Sequence, residues 1–284
     1  MPEFKGIDVS SWQERIAWDK VRKDGIQFAM IRASYSDSPD RYFSRNIVHA
    51  LDNNIQCGAY VFSGAVTADD ARREADLVLE TVKPYQLSYP IAFNMEDQVH
   101  YLLSNAQRTR VVQAFCQAME KSGYHPAIYA SLYWFNVMLD LEKLEPYDKW
   151  VSQWSVKCTF KGKYGLWQNS SRSLISGIDG YVNTDIAYED YPALLCAKNE
   201  RKPPKGIVLP PGICTGARFS ARQIPLFKTA GSPEKSRDIS GVYWIYDEKP
   251  VNGRLKVTNM ADRVGKQPEG AHVIGYVYKE DIRL

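Results

Sequence analysis

The sequence predicts an irregular α/β barrel followed by a small all-β domain. Short apolar runs rich in β-branched and aromatic residues alternate with helix-period patterns through the first two thirds of the 284-residue chain. Repeated strand–helix order implies a parallel sheet, because a crossover helix joins parallel neighbours, and this many repeats can close the sheet into a barrel. Near residue 197 the chain becomes polar and proline-rich, and closely spaced strand-like runs follow.

The elements of the barrel can be predicted in order. The predicted strands are KGIDVS, QFAMIRAS, IQCGAYVFS, YPIAFNMED, PAIYAS, KWVSQW and YGLWQNS, and the predicted helices span 16–24, 42–53, 68–82 and 105–122. Thr67 is the predicted N-cap of the third helix, and Gly123 is the predicted residue that follows the fourth. Helical patterns become sparse beyond residue 123, so we expect the barrel to be irregular.

The sequence predicts two domains, 1–197 and 212–284, joined by a linker. Residues 198–211 read KNERKPPKGIVLPP, a composition suited to a semi-rigid spacer. Beyond it, QIPLFKTAG, GVYWIYDEKPVNGRLKVTN and HVIGYVYKEDI predict short strands of a twisted, barrel-like domain. The Asn252-Gly253 pair between alternating runs predicts a type I′ hairpin.

Composition excludes several classes of protein. With 44% hydrophobic and 24% charged residues, and no run approaching the roughly 20 apolar residues of a membrane helix, we expect no stable membrane insertion. The beginning, MPEFKGIDVSSW, contains no secretory signal, so we expect synthesis in the cytoplasm; action outside the cell would then need release or another export route.

Cysteine and histidine spacing indicates neither a disulfide framework nor a metal site. The five cysteines are an odd number, are widely scattered and show no CxxC spacing, so we expect small buried thiols. The four histidines are isolated and no nucleotide-binding glycine motif is present, so no metal or cofactor is predicted.

Charge is distributed unevenly between the two predicted domains. Residues 1–197 contain 20 Lys and Arg against 24 Asp and Glu, whereas residues 198–284 contain 16 against 9. A solvated surface is one explanation for the basic second domain, and attraction to an anionic polymer is another. The basic residues do not form a recognisable nucleic-acid motif, so we do not expect nucleic acid as the partner.

Polar and aromatic residues recur at the predicted strand ends. They are Asp8, Arg32, Tyr60, Glu96, Tyr129 and Trp154. In a parallel barrel, functional residues gather at the carboxyl ends of the strands, so these side chains are predicted to converge. Further aromatic residues near this edge are Trp12, Tyr35, Phe62, Trp134 and Trp167, for each of which core packing is as good an explanation as ligand contact.

The stretch PIAFNMED, residues 90–97, carries the chemistry. Strand alternation places Asn94 and Glu96 on one face and Met95 on the other. Residues two apart on a strand suit a pair of carboxyl groups flanking a glycosidic bond, but here one of the two is an amide. Glu96 is the predicted general acid, because the end of a buried strand near Phe93 and Met95 should raise its pKa by desolvation.

Six stretches of the chain occur in a fixed order: KGIDVSSWQ, GAYVFS, PIAFNMED, AIYAS, WVSQW and LWQNSS…GIDGYVNTDIAY. In this order they resemble the landmarks of glycoside hydrolase family 25 from Lys5 to about Leu195. These are the Chalaropsis-type lysozymes, which include many phage endolysins. The resemblance implies an irregular TIM-like (β/α) barrel that cleaves the β-1,4 bond after N-acetylmuramic acid in peptidoglycan. The second domain more weakly resembles a bacterial SH3-like wall-binding domain, which implies contact with the cell wall and with anionic wall polymers.

The resemblance also implies which residues form the site. The acidic cluster of the family falls on Asp8, Asn94, Glu96 and Asn183, and Asp185 occupies the family's Asn-or-Asp position beside it. Asp8 would bind a sugar hydroxyl or position a water. Tyr60, Tyr129, Trp154, Arg32 and Asp185 are the predicted substrate-binding residues.

Two of the four acids are amides in this chain, and their loss has a predicted cost. Whether the reaction uses a carboxylate nucleophile or the substrate's own acetamide, it needs negative charge near position 94, which Asn94 does not supply. The sequence therefore predicts a severely impaired muramidase or a peptidoglycan-binding protein that does not cleave. Deliberate inactivation and natural divergence are both compatible with these amides.

Overall fold

Alternation of buried strands and amphipathic helices produces the predicted barrel. The computed structural model describes residues 3–85, 87–198, 218–264, 266 and 269–282. The chain divides into two units, Met1–Lys205 and Gly206–Leu284. The predicted linker, 198–211, lies outside the described residues apart from Lys198, at the end of a helix.

Nine strands are described in the first unit. They are β1 (Phe4–Val9), β2 (Phe28–Tyr35), β3 (Ser38–Pro39), β4 (Gln56–Phe62), β5 (Ile91–Asn94), β6 (Pro126–Ser131), β7 (Asp148–Ser152), β8 (Leu166–Ser173) and β9 (Val182–Ala187). Their order is β1-β9-β8-β7-β6-β5-β4-β2-β3, and pairing of β1 with β2 closes the barrel, leaving β3 at the edge of β2. The prediction of an irregular α/β barrel is confirmed.

The last strand of the barrel differs from the prediction of a parallel sheet. β9 is antiparallel to both β8 and β1, whereas β1–β2, β2–β4, β4–β5, β5–β6, β6–β7 and β7–β8 are parallel. The short edge strand β3 is antiparallel to β2. Only residues 174–181 separate β8 from β9, too few for the crossover that a parallel pair needs.

Helices cover the outside of the barrel. They are α1 (Trp18–Lys23), α2 (Phe43–Asp52), α3 (Ala68–Val82), α4 (Asn105–Lys121) and α5 (Tyr191–Lys198). Thr67 caps α3 by accepting a hydrogen bond from the Asp70 N–H, and Gly123 follows α4 with φ +80°, as predicted. Among the described helices, none combines the length and the apolar character needed to cross a membrane.

Alternation along each strand divides the core into two layers. On β5, Ala92 belongs to the cluster inside the barrel, whereas Ile91 and Phe93 belong to the larger cluster outside it. Phe93 contacts Phe115 of α4, with ring centroids 5.1 Å apart. The interior cluster fills the barrel below its carboxyl-end rim, so polar inward-facing residues at that rim are free to form a site.

The second unit contains a four-stranded antiparallel sheet. Its strands are β10 (Arg218–Leu226), β11 (Arg237–Val251), β12 (Arg254–Thr258) and β13 (Gly275–Tyr278), paired in that order, and a short helix, α6 (Glu269–His272), precedes β13. Asn252 and Gly253 have φ of 50° and 70°, and Val251 pairs with Arg254, which confirms the predicted hairpin. Phe219, Ile245 and Leu255 belong to its apolar core.

Candidate active site

A pocket opens at the carboxyl ends of the barrel strands, with an empty volume of about 600 Å³. Its lining residues are Asp8, Val9, Ser10, Trp12, Gln13, Arg32, Tyr60, Phe62, Asn94, Glu96, Tyr129, Trp150, Gln168 and Asn183. Most lie one alternation step above the side chains that fill the barrel, as Asn94 lies above Ala92. Strand alternation therefore brings these distant parts of the chain to one site.

Glu96 and Asn94 share the face predicted for them. The Asn94 amide Nδ2 donates a hydrogen bond of 2.9 Å to Glu96 Oε1. Glu96 is accessible at the pocket mouth, yet the surrounding protein partly desolvates its carboxyl and raises its pKa, an effect that the Asn94 hydrogen bond opposes and the charge of Asp97 reinforces. A raised pKa suits a group that acts as a proton donor.

Desolvation, the predicted cause of this pKa shift, is its largest cause, but two of the predicted neighbours do not supply it. Phe93 and Met95 are fully buried in the outer layer of the core and do not surround Glu96. The residues around Glu96 are those of the pocket. Asn94 is itself buried, and its carbonyl Oδ1 has no hydrogen-bond partner in the described part of the chain.

Asp8 lies across the pocket between two amides. Gln168 Nε2 donates to Asp8 Oδ2 at 2.7 Å, and Asn183 Nδ2 donates to Asp8 Oδ1 at 3.0 Å. Burial raises the pKa of Asp8 to about 6, the two amide hydrogen bonds oppose this rise, and the charge of Glu96 adds to it. Both predicted amides therefore touch a predicted acid: Asn94 touches Glu96, and Asn183 touches Asp8.

Asp185 lies below the pocket and does not line it. Only 1% of the residue is exposed, and its Oδ1 accepts a hydrogen bond of 2.8 Å from the indole Nε1 of Trp150. Burial raises the pKa of Asp185 well above its ordinary value, and the neighbouring charge of Asp8 raises it further. Its predicted contact with substrate is therefore not accessible in this arrangement, because the side chain is enclosed beneath Asp8.

Arg32 lines the pocket, but its guanidinium is occupied by protein groups. Its Nε donates to Asp40 Oδ2 at 2.8 Å, and its NH2 group donates to Ser11 Oγ at 2.9 Å. Ser11 begins the 3₁₀ turn Ser11–Gln13, which carries Trp12, a residue that is 83% exposed at the pocket rim. Arg32 thus supports the turn that presents Trp12.

The predicted aromatic residues fall into two groups. Tyr60 and Tyr129 line the pocket, and burial raises the pKa of both hydroxyls well above 10, so both are neutral. Trp154 is 63% exposed and its indole Nε1 donates to Gln168. By contrast, Trp134 and Trp167 are buried and are not among the residues that line the pocket.

Sequence reasoning did not select five residues that line the pocket: Val9, Ser10, Gln13, Trp150 and Gln168. Gln168 lies in the quoted LWQNSS run, at an inward-facing position of β8, so the alternation argument applied to Glu96 would have found it. Among the described residues, no cluster of three or more His, Cys, Asp or Glu side chains is arranged to hold a metal ion.

The sequence is similar to those of known proteins. The sequence pattern of glycosyl hydrolases family 25 matches residues 7–178, and the chain belongs to this family. It is 33% identical over 190 residues to the uncharacterized protein YegX of Escherichia coli O6:H1, covering 64% of this chain and 68% of YegX. It is 27% identical over 195 residues to Lysozyme M1 of Streptomyces globisporus, covering 63% and 66%.

Solved structures share the fold. The bacterial lysozyme of Streptomyces coelicolor superposes with a TM-score of 0.59 at 23% identity, covering 69% of this chain and 97% of that one. The modular autolysin LytC of Streptococcus pneumoniae, solved with a synthetic peptidoglycan ligand, superposes with a TM-score of 0.59 at 23% identity, covering 66% and 47%.

Proposed function

We propose that the barrel is a muramidase site for peptidoglycan, which would cleave the β-1,4 bond between N-acetylmuramic acid and N-acetylglucosamine, and that Asn94 and Asn183 severely impair it. The observation that carries the proposal is the Glu96 carboxyl, raised in pKa, hydrogen-bonded to Asn94 and open to the pocket. Family membership supports the reaction class, and the relatives named lysozyme support the substrate.

The pocket suits an acetamido sugar. The carbonyl oxygen of Asn94 is buried without a donor, and a ligand amide N–H would satisfy it. The exposed indoles of Trp12 and Trp154 offer flat apolar faces on which sugar rings stack. Tyr60 and Tyr129 supply neutral hydroxyls for sugar oxygens.

Glu96 would donate its proton to the glycosidic oxygen as the bond breaks. The sugar left behind acquires positive charge, which a carboxylate at position 94 would stabilise or capture. Asn94 has the same shape but no charge. Loss of one such electrostatic partner typically lowers a rate by about 10²–10³, and loss of a nucleophile lowers it further.

Asn183 acts on Asp8 and not on the proton donor. Its amide N–H stabilises the Asp8 carboxylate at 3.0 Å. An aspartate at 183 would place a second carboxyl against Asp8, so the pair would hold a shared proton. Asn183 therefore leaves Asp8 more fully ionised than the four-acid cluster of the family would.

Restoration of the charge tests the impairment. Asn94→Asp should increase release of reducing sugar from purified cell walls by at least about 10²-fold over the unaltered chain. The double variant Asn94→Asp/Glu96→Gln should not show this gain. Asn183→Asp alone should increase sugar release by less than Asn94→Asp does. A restored variant that releases sugar no faster than the original would contradict the proposal.

Binding without cleavage is the alternative that the two amides favour. A protein of this kind would sediment together with cell walls while releasing no sugar. Its Asn94→Asp variant would also release no sugar. Normal muramidase rates from the unaltered chain would exclude this alternative and would also show that a carboxylate at 94 is not required.

The second unit is proposed to be an SH3-like wall-binding domain. Its small antiparallel sheet and the basic composition of residues 198–284 support contact with an anionic wall polymer. Wall retention of the full chain should weaken between 0.05 and about 0.5 M salt, because the Debye length shortens several-fold. Retention independent of salt would argue against an electrostatic partner.

The proposed site of action is the cell wall, reached after cytoplasmic synthesis by release or holin-type export. The proposed substrate supports this location, since peptidoglycan lies outside the cytoplasm. Fractionation of a producing culture, with and without a co-expressed holin, tests it. Export that proceeds equally in the absence of lysis or a holin would contradict it.

A further inference from the structure

A single buried amide connects Asp8, which lines the pocket, with Trp154, an exposed residue beside it. Gln168 is 1% exposed, and its side chain contacts Asp8, Tyr129, Ser152 and Trp154. We propose that Gln168 is a positioning residue, which fixes the Asp8 carboxylate and the exposed Trp154 indole in one arrangement at the pocket. The sugar contact assigned to Trp154 rests on the proposed function.

The orientation of the Gln168 amide is determined by its neighbours. Trp154 Nε1 lies 2.9 Å from Gln168 Oε1, and an indole N–H can only donate. The carbonyl oxygen must therefore face Trp154, and the NH₂ group must face Asp8, where it lies 2.7 Å from Oδ2. The reversed amide would place two donors together at Trp154 and two acceptors together at Asp8.

Two hydroxyl groups reinforce this orientation. Tyr129 OH lies 3.1 Å and Ser152 Oγ 3.0 Å from the same Gln168 Oε1. Both hydroxyls can rotate toward other acceptors, whereas the indole N–H can only donate and the ionised Asp8 carboxylate can only accept. Trp154 and Asp8 are therefore the contacts that fix the amide.

The consequence is that Trp154 is held through its polar edge while its face stays open. Trp154 follows β7, and Asp8 belongs to β1, a strand separated from it by more than 140 residues. A sugar stacked on the indole would therefore meet a ring whose position is set relative to the Asp8 carboxylate. Without Gln168, the indole N–H and the carboxylate each lose a buried partner.

Two substitutions separate the halves of this link. Gln168→Met has a similar length but neither donor nor acceptor, so it should disturb both Trp154 and Asp8. Gln168→Glu retains an oxygen that can accept from Trp154 but places a second carboxyl against Asp8. Ser152→Ala removes one hydroxyl donor and is the matched control.

The measurements use the unliganded full chain. Nuclear magnetic resonance reports the Trp154 indole N–H, assigned by its loss in Trp154→Phe, and the titration of the ¹³C-labelled Asp8 carboxyl. We expect the indole resonance to move in Gln168→Met and to stay near its original position in Gln168→Glu and Ser152→Ala. The Asp8 pKa should rise above its original value in both Gln168 variants and not in Ser152→Ala.

An unchanged indole resonance in Gln168→Met, or an unchanged Asp8 titration in both Gln168 variants, would overturn the proposal. If Gln168→Met does not fold, Gln168→Glu decides: a moved indole resonance together with an unchanged Asp8 titration would refute the link. These readouts respond to the two contacts and not to general stability, which urea unfolding of each variant reports separately.

A ligand measurement separates this proposal from the proposed function. A disaccharide-peptide of N-acetylglucosamine and N-acetylmuramic acid should bind Gln168→Met about 2- to 10-fold more weakly than the original chain, the range expected for one lost hydrogen bond. Equal affinities would overturn the coupling to sugar binding. Failure of the original chain to bind this fragment would contradict the proposed function, while the ligand-free spectra would still decide the role of Gln168.

Discussion

At the scale of single residues, the site contains acids whose pKa is raised by burial and amides that donate hydrogen bonds to carboxylates. Asp8 has two amide donors, whereas Asp185 beneath it has one donor, the indole N–H of Trp150, and is repelled by the like charge of Asp8. Burial of these acids costs stability, since the folded protein must either hold a proton that the unfolded chain would release or bury a charge.

Asp185→Asn is therefore expected to stabilise the protein at neutral pH. The folded-state pKa of Asp185 is raised above its unfolded value, so its penalty is absent below about pH 4 and grows as pH rises. Asparagine keeps an acceptor for Trp150 and presents an N–H to Asp8. We expect the free energy of unfolding to rise by about 1–3 kcal/mol at pH 7 and by much less at pH 4.

Urea unfolding at the two pH values measures this difference. Asp179→Asn, which makes the same chemical change at an exposed position, is the control and should change stability by less than about 0.5 kcal/mol. A gain for Asp185→Asn that is the same at pH 4 and pH 7 would show that ionisation of Asp185 is not its cause.

At the scale of elements, buried cations hold the loops that follow the strands. Arg32 binds Asp40 and Ser11 and so supports the turn that carries Trp12. The structure thus gives Arg32 a supporting role that differs from the predicted contact with substrate, which stays a prediction because Arg32 also lines the pocket. This difference arises because Asp40, eight residues later, lies within hydrogen-bond distance once the chain has turned back through β3.

Asp40→Ala should destabilise the protein by about 3 kcal/mol, because it leaves the Arg32 guanidinium buried without its ionic partner. It also removes the acceptor for the Ser11 N–H, so we expect weaker binding of glycan fragments. Urea unfolding and fragment titration measure the two effects. Asp37→Ala on the same loop is the exposed control, and equal effects of the two substitutions would contradict this role.

A second buried cation, Arg108, holds the segment that follows β5 by hydrogen bonds. The Arg108 guanidinium donates to the carbonyls of Met138, His100 and Leu103, and so ties helix α4 to two loops. Arg108→Ala should cost about 2–4 kcal/mol, because it leaves several buried carbonyls without donors. Thermal unfolding compares it with Arg110→Ala on the exposed face of α4, and equal losses would show that these bonds contribute little.

At the scale of the whole molecule, the two units have separate cores. We expect the full chain to show two calorimetric transitions, because each unit buries its own apolar cluster. Ile245→Ala should destabilise the second unit by about 3 kcal/mol and lower one transition, whereas Val112→Ala should lower the other. A single transition that both substitutions lower equally would refute independent units.

Much of the fold could be predicted because its signals are local. Hydrophobic patterns with periods of 3.6 and 2 residues predicted the helices and strands. Thr67, Gly123 and the Asn252-Gly253 pair marked a helix cap, a helix end and a turn, because the backbone conformation at such positions depends on a few neighbouring residues. β9 was not among the predicted strands, and its antiparallel direction depends on the short connection from β8 and on closure of the barrel, which are not properties of its own residues.

The sequence alone determined that Asn94 and Glu96 share a face at a strand end, because alternation is a property of any extended chain. It also determined that position 94 lacks a negative charge. Only the tertiary structure decided that Asp185 lies beneath Asp8, that Arg32 is occupied by Asp40, and that Gln168 joins Asp8 to Trp154. Such pairings depend on side chains that approach one another only when the barrel closes.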